Sequence, residues 1–408
     1  MPSPFHVVVA PDKFKGSLTA GEVATTIAAA FEDGFLDAFT GTARSRGVDV
    51  EGAVALETTV LPVADGGEGT VEAALRSAGF SAVTAVVPGP TGEPVEATFA
   101  RDGDTAVVEM AQASGLDRLP GGTPAPLTAT TRGTGELVRA ALDAGARHVV
   151  LAVGGSASTD GGAGLLTALG GRLLDAAGRD LPDGGAALLD LDRVDLSGLD
   201  PRVRQVRWTL AADVDNPLLG ERGAAAVFGP QKGATPDDVA LLDTALTRFA
   251  DALAAGTGLD ARDTPGAGAA GGVGLVALGL LGATRRPGVE VVLDLAGWSH
   301  RTRQASLVIT GEGSFDEQSL GGKTPVGVAA AAARIPAPVV VLSGRRALAE
   351  ERWRAAGFAQ ARALTDVEPD VGTCVREARR LLGALARDLG AQYGAEHAAR
   401  AGAAGARG

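Results

Sequence analysis

The sequence predicts an α/β protein: a discontinuous, doubly wound domain from the two ends of the chain, interrupted by a second α/β domain. Three observations predict it. Apolar strand-like runs alternate with helical stripes towards both ends, which is βαβ grammar. Aromatic residues make up only 4% of the chain, so Ala, Val and Leu must fill the core, as helices packed on parallel strands allow. The texture changes at Pro88-Gly89-Pro90-Thr91-Gly92 and returns to regular alternation after Pro287. The expected bounds are therefore 1–87 with 288–391 for the split domain and 88–287 for the insert. The Ala/Arg/Gly-rich residues 392–408 are expected to be a disordered tail.

Composition narrows the function. Of 408 residues, 45% are hydrophobic and 21% charged, the balance of a globular protein and not of a disordered one. The 59 glycines follow no G-X-Y period, which excludes collagen; they cluster between apolar runs, where tight turns are expected. A net charge of −12 argues against a nucleic-acid partner. It leaves room for a small anion held by local lysines. The single cysteine, Cys374, cannot form an internal disulfide and suits a reducing compartment. No signal-peptide pattern opens the chain. The longest apolar stretch, Val273–Leu281, is far short of the roughly 20 residues of a membrane span. A cytoplasmic protein without a membrane partner is expected, and self-association into a homo-oligomer stays open.

The elements follow in chain order. His6–Ala10 (HVVVA) reads as a buried strand. Thr19-Ala20-Gly21-Glu22 fits a capping box, and Val23, Ile27, Ala30 and Phe31 form the stripe of the helix it opens. Thr58–Val63 is a second strand, with a helix over Val71–Ala78 and a strand over Ala82–Val87 behind it. Val95–Ala100 and Thr105–Met110 flank Arg101-Asp102-Gly103-Asp104, a hairpin signal. The loop Pro120–Thr131 precedes a helix over Gly135–Ala144, a strand over His148–Val153 and the loop Gly154–Gly164. Arg207–Ala212 is a further strand and Asp237–Ala255 a long helix. Gly266–Gly274 opens an apolar helix to Leu281. Strands are expected at Glu290–Leu293, Leu307–Thr310 and Val339–Leu342, and helices at Val326–Ala333 and Val375–Leu389.

Five segments end an apolar run with a turn carrying glycine, a carboxylate and often lysine. In open α/β sheets, ligands bind at the carboxyl ends of strands, so these turns are weighed together. The first holds Asp12, Lys13, Lys15 and Ser17 ahead of a helix N-terminus, which suits an anion or, equally, a solvated turn. The second is Asp65-Gly66-Gly67-Glu68-Gly69-Thr70. Its glycines let backbone approach a ligand and its two carboxylates could hold a divalent metal through water; an acidic first helical turn is the plainer alternative. The third, Gly154–Gly164 (GGSASTDGGAG), follows a strand and precedes a helix, so its N–H groups could face phosphate oxygens. It contains Gly154, Gly155, Ser156, Thr159, Asp160, Gly161 and Gly162. The fourth pairs Asp213 and Asn216 with Lys232: the acid could orient a hydroxyl or a metal-bound water, the lysine could neutralise an anion. The fifth, Thr310–Pro325, carries Gly311, Glu312, Gly313, Asp316 and Lys323, a carboxylate-rich turn suited to metal and phosphate together.

Other patterns fail their context. The GGKT ending at Gly321–Thr324 lacks the first glycine of a phosphate loop, because Glu317 stands there. Gly266–Gly271 (GAGAAG) matches the dinucleotide fingerprint, but no strand precedes it; a nicotinamide-dependent oxidoreductase using these glycines is a rival reading. Gly154–Ser158 misses the nucleophile elbow, the four histidines lie outside the turns, and no zinc spacing occurs.

In this order, PDKFKGSL (Pro11–Leu18), ADGGEGT (Ala64–Thr70), RGTGEL (Arg132–Leu137), GGSASTDGGAG (Gly154–Gly164), DVDNPL (Asp213–Leu218), FGPQKGA (Phe228–Ala234), GAGAAGG (Gly266–Gly272) and ITGEGSFDEQSLGGKTP (Ile309–Pro325) closely resemble the type I glycerate kinase family, from about His6 to Leu389. The resemblance implies ATP-dependent phosphorylation of D-glycerate with Mg2+. It also implies a flavodoxin-like domain interrupted by a restriction-enzyme-like α/β domain. The chain departs from the family pattern at Lys13, Ser314, Thr159 and Asp215, where that pattern has serine, arginine, asparagine and threonine. A non-catalytic sugar-acid-binding protein on the same fold is the second rival.

Phosphoryl transfer needs charge neutralisation, in-line placement and a group that orients the attacking hydroxyl, and a substrate carboxylate needs a cation or an N–H cradle. Lys15, Lys232 and Lys323 are therefore expected to neutralise phosphate or carboxylate. Asp65, Glu68, Glu312 and Asp316 are expected to hold Mg2+ directly or through water. Asp160 or Asp213 would accept the hydroxyl proton, and Asp316, Lys15 and Lys323 complete the catalytic set. Asp12, Lys13, Ser17, Gly66, Gly67, Gly154, Gly155, Ser156, Thr159, Gly161, Gly162, Asn216, Lys232, Gly311 and Gly313 would contact ATP or glycerate. Which hydroxyl is phosphorylated is not legible.

Overall fold

Val7, Val8, Val9, Leu307, Val308, Ile309, Val340 and Val341 are fully buried, as strands covered on both faces require. They form the centre of a parallel sheet in a computed structural model that describes residues 4–45 and 56–405. The chain divides into two compact units, Met1–Ala64 with Val292–Gly408, and Asp65–Val291. The first, flanking unit holds a five-stranded sheet. Its strands run Gln360–Ala363, Val339–Arg346, Leu307–Phe315, Phe5–Pro11, Leu56–Val60 across the sheet, and every neighbouring pair is parallel.

The helix Ala20–Ser45 starts where the sequence places it. Thr19 N–H donates to the Glu22 carboxylate at 2.9 Å and Glu22 N–H to Thr19 Oγ1 at 3.2 Å, the reciprocal bonds of a capping box. It packs against the C-terminal helix Ala378–Gly405. That approach is close: a Cβ on Gly34 would lie 2.1 Å from the Arg387 carbonyl oxygen, and one on Gly394 2.3 Å from that of Phe35. The expected disordered tail is thus corrected over 392–405, which is helical; Tyr393 and His397 pack on Phe5. Residues 406–408 of that expectation lie outside the described residues.

The inserted unit holds a six-stranded mixed sheet in the order Thr284–Arg286, Arg207–Ala211, His148–Ala152, Thr105–Glu109, Pro94–Asp102, Ser81–Pro88. The first four strands are parallel and the last two join antiparallel. Its lower bound differs from the expected 87/88. The strand Ser81–Pro88 pairs with Pro94–Asp102 from Ser81↔Arg101 to Pro88↔Pro94, so Pro88–Gly92 is a hairpin turn and not a domain boundary. The preceding helix, Thr70–Leu75, is tied to the same sheet: the buried Glu109 carboxylate accepts from Gly69 N–H at 3.2 Å and Val71 N–H at 2.9 Å, a favourable charge at a helix N-terminus.

Two further expectations are corrected. Glu290–Leu293 is not a strand: Gly288–Leu295 is a helix. Val289, Val292, Leu293 and Ala296 are buried at the spacing of one helical face, and a short apolar run does not distinguish that face from a strand. The upper division of the chain falls inside this helix, after Val291 rather than Pro287. The strand expected over Leu307–Thr310 runs on to Phe315. Gly313 and Gly344 permit it, since a Cβ on Gly344 would sit 2.5 Å from the Gly313 carbonyl oxygen.

Candidate functional site

The candidate residues fall into two groups, one in each unit. In the inserted unit, the parallel strands His148–Ala152 and Arg207–Ala211 deliver their carboxyl ends to a cavity of about 210 Å3. Asp65, Gly66, Gly67, Gly154, Gly155, Ser156, Asp213 and Lys232 line it. Close backbone packing explains the glycines. A Cβ on Gly154 would lie 2.4 Å from Gly67 Cα, and one on Gly66 2.9 Å from Gly288 Cα. Gly66 also has φ +84°, a left-handed conformation that glycine adopts freely. Glu68 stands at the edge, its carboxylate 2.9 Å from where a Cβ on Gly155 would be.

Two ionisable groups dominate this cavity. Lys232 is 1% exposed; its Nζ donates to Ser156 Oγ at 2.8 Å and to the Ser158 carbonyl at 2.5 Å. Burial pulls its ammonium down to about 7, against the opposing charge of Asp160. Asp213 Oδ1 accepts from Gly288 N–H at 2.7 Å. Burial first, and the negative charge of Asp65, push Asp213 up to about 7, although the Gly288 bond and Arg285 oppose this. An acid and an amine poised near neutrality in one cavity are the arrangement that proton transfer asks for.

Asp160 does not join them. It is fully buried, and its carboxylate accepts from Thr131 N–H and Oγ1 at 2.9 and 2.8 Å and from Gly162 and Gly164 N–H at 3.2 Å each. Burial raises its pKa even against these four donors. The second half of the glycine-rich loop is spent in the same way. Gly161 N–H donates to the Gly271 carbonyl at 2.9 Å, and Cβ atoms on Gly161 and Gly162 would meet Phe249 and Val276. Thr159 is buried, with Oγ1 unpartnered, and Asn216 Nδ2 donates to the Arg222 carbonyl. Only Gly154–Ser156 of that loop reach the cavity. The dinucleotide-like glycines are packing residues: a Cβ on Gly271 would lie 2.1 Å from the Ser158 carbonyl oxygen, and one on Gly268 2.2 Å from that of Pro217.

Sequence reasoning missed Phe228, Gln231 and Ala270 in the lining. Ala270 has φ +54°, alone among described non-glycine residues in being positive; such a conformation costs a non-glycine residue roughly 1–2 kcal/mol. The strings FGPQKGA and GAGAAGG, which contain these three residues, were the available signal.

The second group sits at the carboxyl ends of Phe5–Pro11 and Leu307–Phe315. Asp12 accepts from Thr324 Oγ1 at 2.6 Å and from Lys13 N–H at 2.6 Å. Glu312 is buried, with Oε1 unpartnered. Burial, then the charges of Asp12 and Asp316, push it up to about 7, while Ser319 and Lys323 oppose. Asp316 accepts from Ser314 Oγ at 3.0 Å and Gln318 N–H at 3.0 Å, and Lys323 Nζ donates to Gln318 Oε1 at 3.3 Å. Lys15, Ser17 and Gly313 line a smaller pocket of about 60 Å3. Gly311 is a packing residue, since a Cβ there would lie 2.3 Å from the Leu342 carbonyl oxygen.

The four expected metal ligands are divided between the units, Asp65 and Glu68 in one, Glu312 and Asp316 in the other. Among the described residues, no three or more His, Cys, Asp or Glu side chains gather as a metal cage. No described helix is long and apolar enough to cross a membrane.

Residues 7–394 match the model of the Glycerate kinase family. The chain is 48% identical over 340 residues to a glycerate kinase of Bacillus subtilis (strain 168), covering 83% of this chain and 84% of that one. It is 43% identical over 340 residues to a glycerate 2-kinase of Escherichia coli (strain K12), again covering 83% and 84%. A crystal structure from Salmonella typhimurium LT2, named provisionally as glycerate kinase 2, superposes with a TM-score of 0.79 at 40% identity, over 97% of this chain and 99% of that one.

Proposed function

The chain belongs to the glycerate kinase family, and we propose that it transfers the γ-phosphoryl group of ATP to a hydroxyl of D-glycerate with Asp213 as the base. One observation carries the assignment of roles: Asp213, held near neutrality, and the buried ammonium of Lys232 line one cavity. Lys232 and the Ser156 hydroxyl hold the glycerate carboxylate, a charge-assisted contact. Asp213 accepts the proton of the attacking oxygen as the new O–P bond forms and the β–γ bridge oxygen leaves with ADP. The Escherichia coli relative is named a glycerate 2-kinase, so the 2-hydroxyl is the proposed acceptor.

Mg2+ suits the donor set. In the flanking unit Glu312 and Asp316 supply hard oxygens and Glu312 Oε1 lacks a protein partner; Asp65 and Glu68 are the inserted unit's own pair of carboxylates, and Mg2+ is ordinarily held by one or two carboxylates with phosphates and water rather than by a full protein cage. When bound, it neutralises charge developing on the transferred group. Lys323 serves the same end with a fixed ammonium. Asp160 is a positioning residue: it ties Thr131 to the start of the helix Ala163–Ala168 and so fixes the loop that carries Ser156.

Numbered along the chain, the flanking unit's strands follow the order 2-1-3-4-5, which supports the flavodoxin-like reading. The buried, unpaired Cys374 supports a reducing, cytoplasmic setting. The test is ADP release from ATP and D-glycerate, with the product separated as 2- or 3-phosphoglycerate. ADP release in wild type, cut about 1,000-fold in D213N, is expected; turnover by D213N at the wild-type rate overturns the assigned base.

A further inference from the structure

The smaller pocket of the flanking unit has a chemistry of its own. It opens where the strand order reverses, at the carboxyl ends of Phe5–Pro11 and Leu307–Phe315, beside the end of Val339–Arg346. Ligands of open α/β sheets bind at such a reversal. One wall is cationic. Lys15 and Arg345 both line it, and neither forms an ion pair with a carboxylate among the described residues. Arg345 reaches only Ser314 Oγ, at 3.4 Å, across the pair Ser314↔Arg345, whereas the next residue, Arg346, is paired with Asp366 at 3.2 Å. Gly313 and Gly344 hold the backbone close on this side: a Cβ on Gly313 would lie 3.3 Å from Lys15 N. The other wall is apolar. Phe14, Leu364 and Cys374 are buried, but Val371 and Val375, one helical turn apart, are 50% and 43% exposed.

Two unpaired cations facing two exposed valines suit a ligand that is anionic at one end and flat and apolar at the other. We propose that this pocket is the nucleotide subsite, with Lys15 and Arg345 on phosphate oxygens and the base against Val371 and Val375. The inference rests on the kinase reading above and divides its ligands: ATP on the flanking unit, D-glycerate in the cavity of Asp213 and Lys232. A volume of about 60 Å3 is far below the roughly 300 Å3 or more of a pocket that encloses a whole ligand, so the pocket suits a phosphate group and not a whole nucleotide. The base therefore lies along the exposed valine rim. None of Arg345, Val371 and Val375 is legible as a site residue in the sequence, because no glycine-rich turn carries them.

The test uses the full chain, titrated calorimetrically with the non-hydrolysable ATP analogue AMP-PNP in Mg2+, alongside the KM for ATP and for D-glycerate. R345A removes a charge-assisted contact and V375E puts a carboxylate on an already exposed rim position. Each is expected to weaken AMP-PNP binding and raise the KM for ATP by about tenfold or more, the size of one such contact, with the KM for D-glycerate within about twofold. R345K is expected to recover part of the loss, since an ammonium keeps the charge without the fork. Unchanged AMP-PNP affinity in R345A and V375E, or an effect confined to D-glycerate, overturns the subsite. Wild type that binds AMP-PNP, loses it in these variants and yet releases no ADP with D-glycerate leaves the subsite standing and removes the kinase reading instead.

Discussion

Lys232 Nζ lies 2.8 Å from Ser156 Oγ in the wall of the cavity, its side chain almost wholly buried. Burial opposes the charge of a lysine so placed. Its folded pKa, about 7, lies below the ordinary 10.5, so the unfolded chain binds more protons between those values. Stability therefore rises with pH from about 7 to about 10.5. K232M keeps most of the side-chain volume and removes the ammonium. It is expected to lower kcat/KM for D-glycerate about 100-fold, as loss of one preorganised donor does, chiefly through KM. Urea unfolding at pH 7, 8 and 9 is expected to show the rise in wild type and not in K232M.

Asp213, as the proposed base, is expected to set the acid limb of the rate profile. Its folded pKa, about 7, lies above the ordinary 3.8. The ionised form needed to accept a proton is then lost as pH falls through 7, and kcat/KM is expected to fall with it. D213N is expected to cost about 1,000-fold, within the range of general-base removal, and to abolish that limb. Stability moves the other way. The folded state holds its proton more tightly than the unfolded one, so wild type loses stability as pH rises from about 4 to 7. D213N, which cannot ionise and still offers an oxygen to Gly288 N–H, is expected to melt higher than wild type at pH 8 in a thermal scan. A lower melting temperature there, with the acid limb intact, would remove both the raised pKa and the base.

The turns that end apolar strands were legible, because glycine, carboxylate and lysine leave a mark on composition. Gly66, Gly67, Gly154 and Asp213 line one cavity. What each polar group does there was not legible. Asp160 and Asp213 look alike as letters, but one is enclosed by four donors and the other faces the cavity. The same holds for local structure. Pro88–Gly92 reads as a break, and only the register of Ser81–Pro88 against Pro94–Asp102 makes it a hairpin. Glu290–Leu293 reads as a strand, and only packing shows it to be part of the helix Gly288–Leu295.

Asp160 should behave as a structural acid. Removing its carboxylate strands the N–H and hydroxyl of Thr131 and two further N–H groups in a dry interior. Each buried donor left alone costs about 1–3 kcal/mol. D160A is expected to lose about 3 kcal/mol or more in urea unfolding. D160N should also be less stable, because its amide turns donors towards donors. Below the melting transition, D160N is expected to keep the same pH midpoint as wild type. A shifted midpoint with unchanged stability would return Asp160 to the proton-transfer chemistry.

The C-terminal helix gives the opposite lesson about small residues. Alanine and glycine over 392–405 suggest a chain with too little apolar surface to order itself, yet Gly390 and Gly394 are what let that helix lie against Ala20–Ser45. Their Cβ atoms would sit 2.2 and 2.3 Å from the Phe31 and Phe35 carbonyl oxygens. The close approach then carries Tyr393 and His397 onto Phe5, Phe31, Phe35 and Phe39. Truncation after Ala391 removes these rings and exposes the phenylalanines. It is expected to destabilise the protein by about 2 kcal/mol or more, the worth of one large buried side chain. G394A is expected to do as much by forcing the helices apart, since overpacking costs about 1–3 kcal/mol. Denaturant midpoints of the two variants measure both effects. A truncated chain as stable as wild type would mean that this helix, however regular, contributes nothing to the packing of the flanking unit.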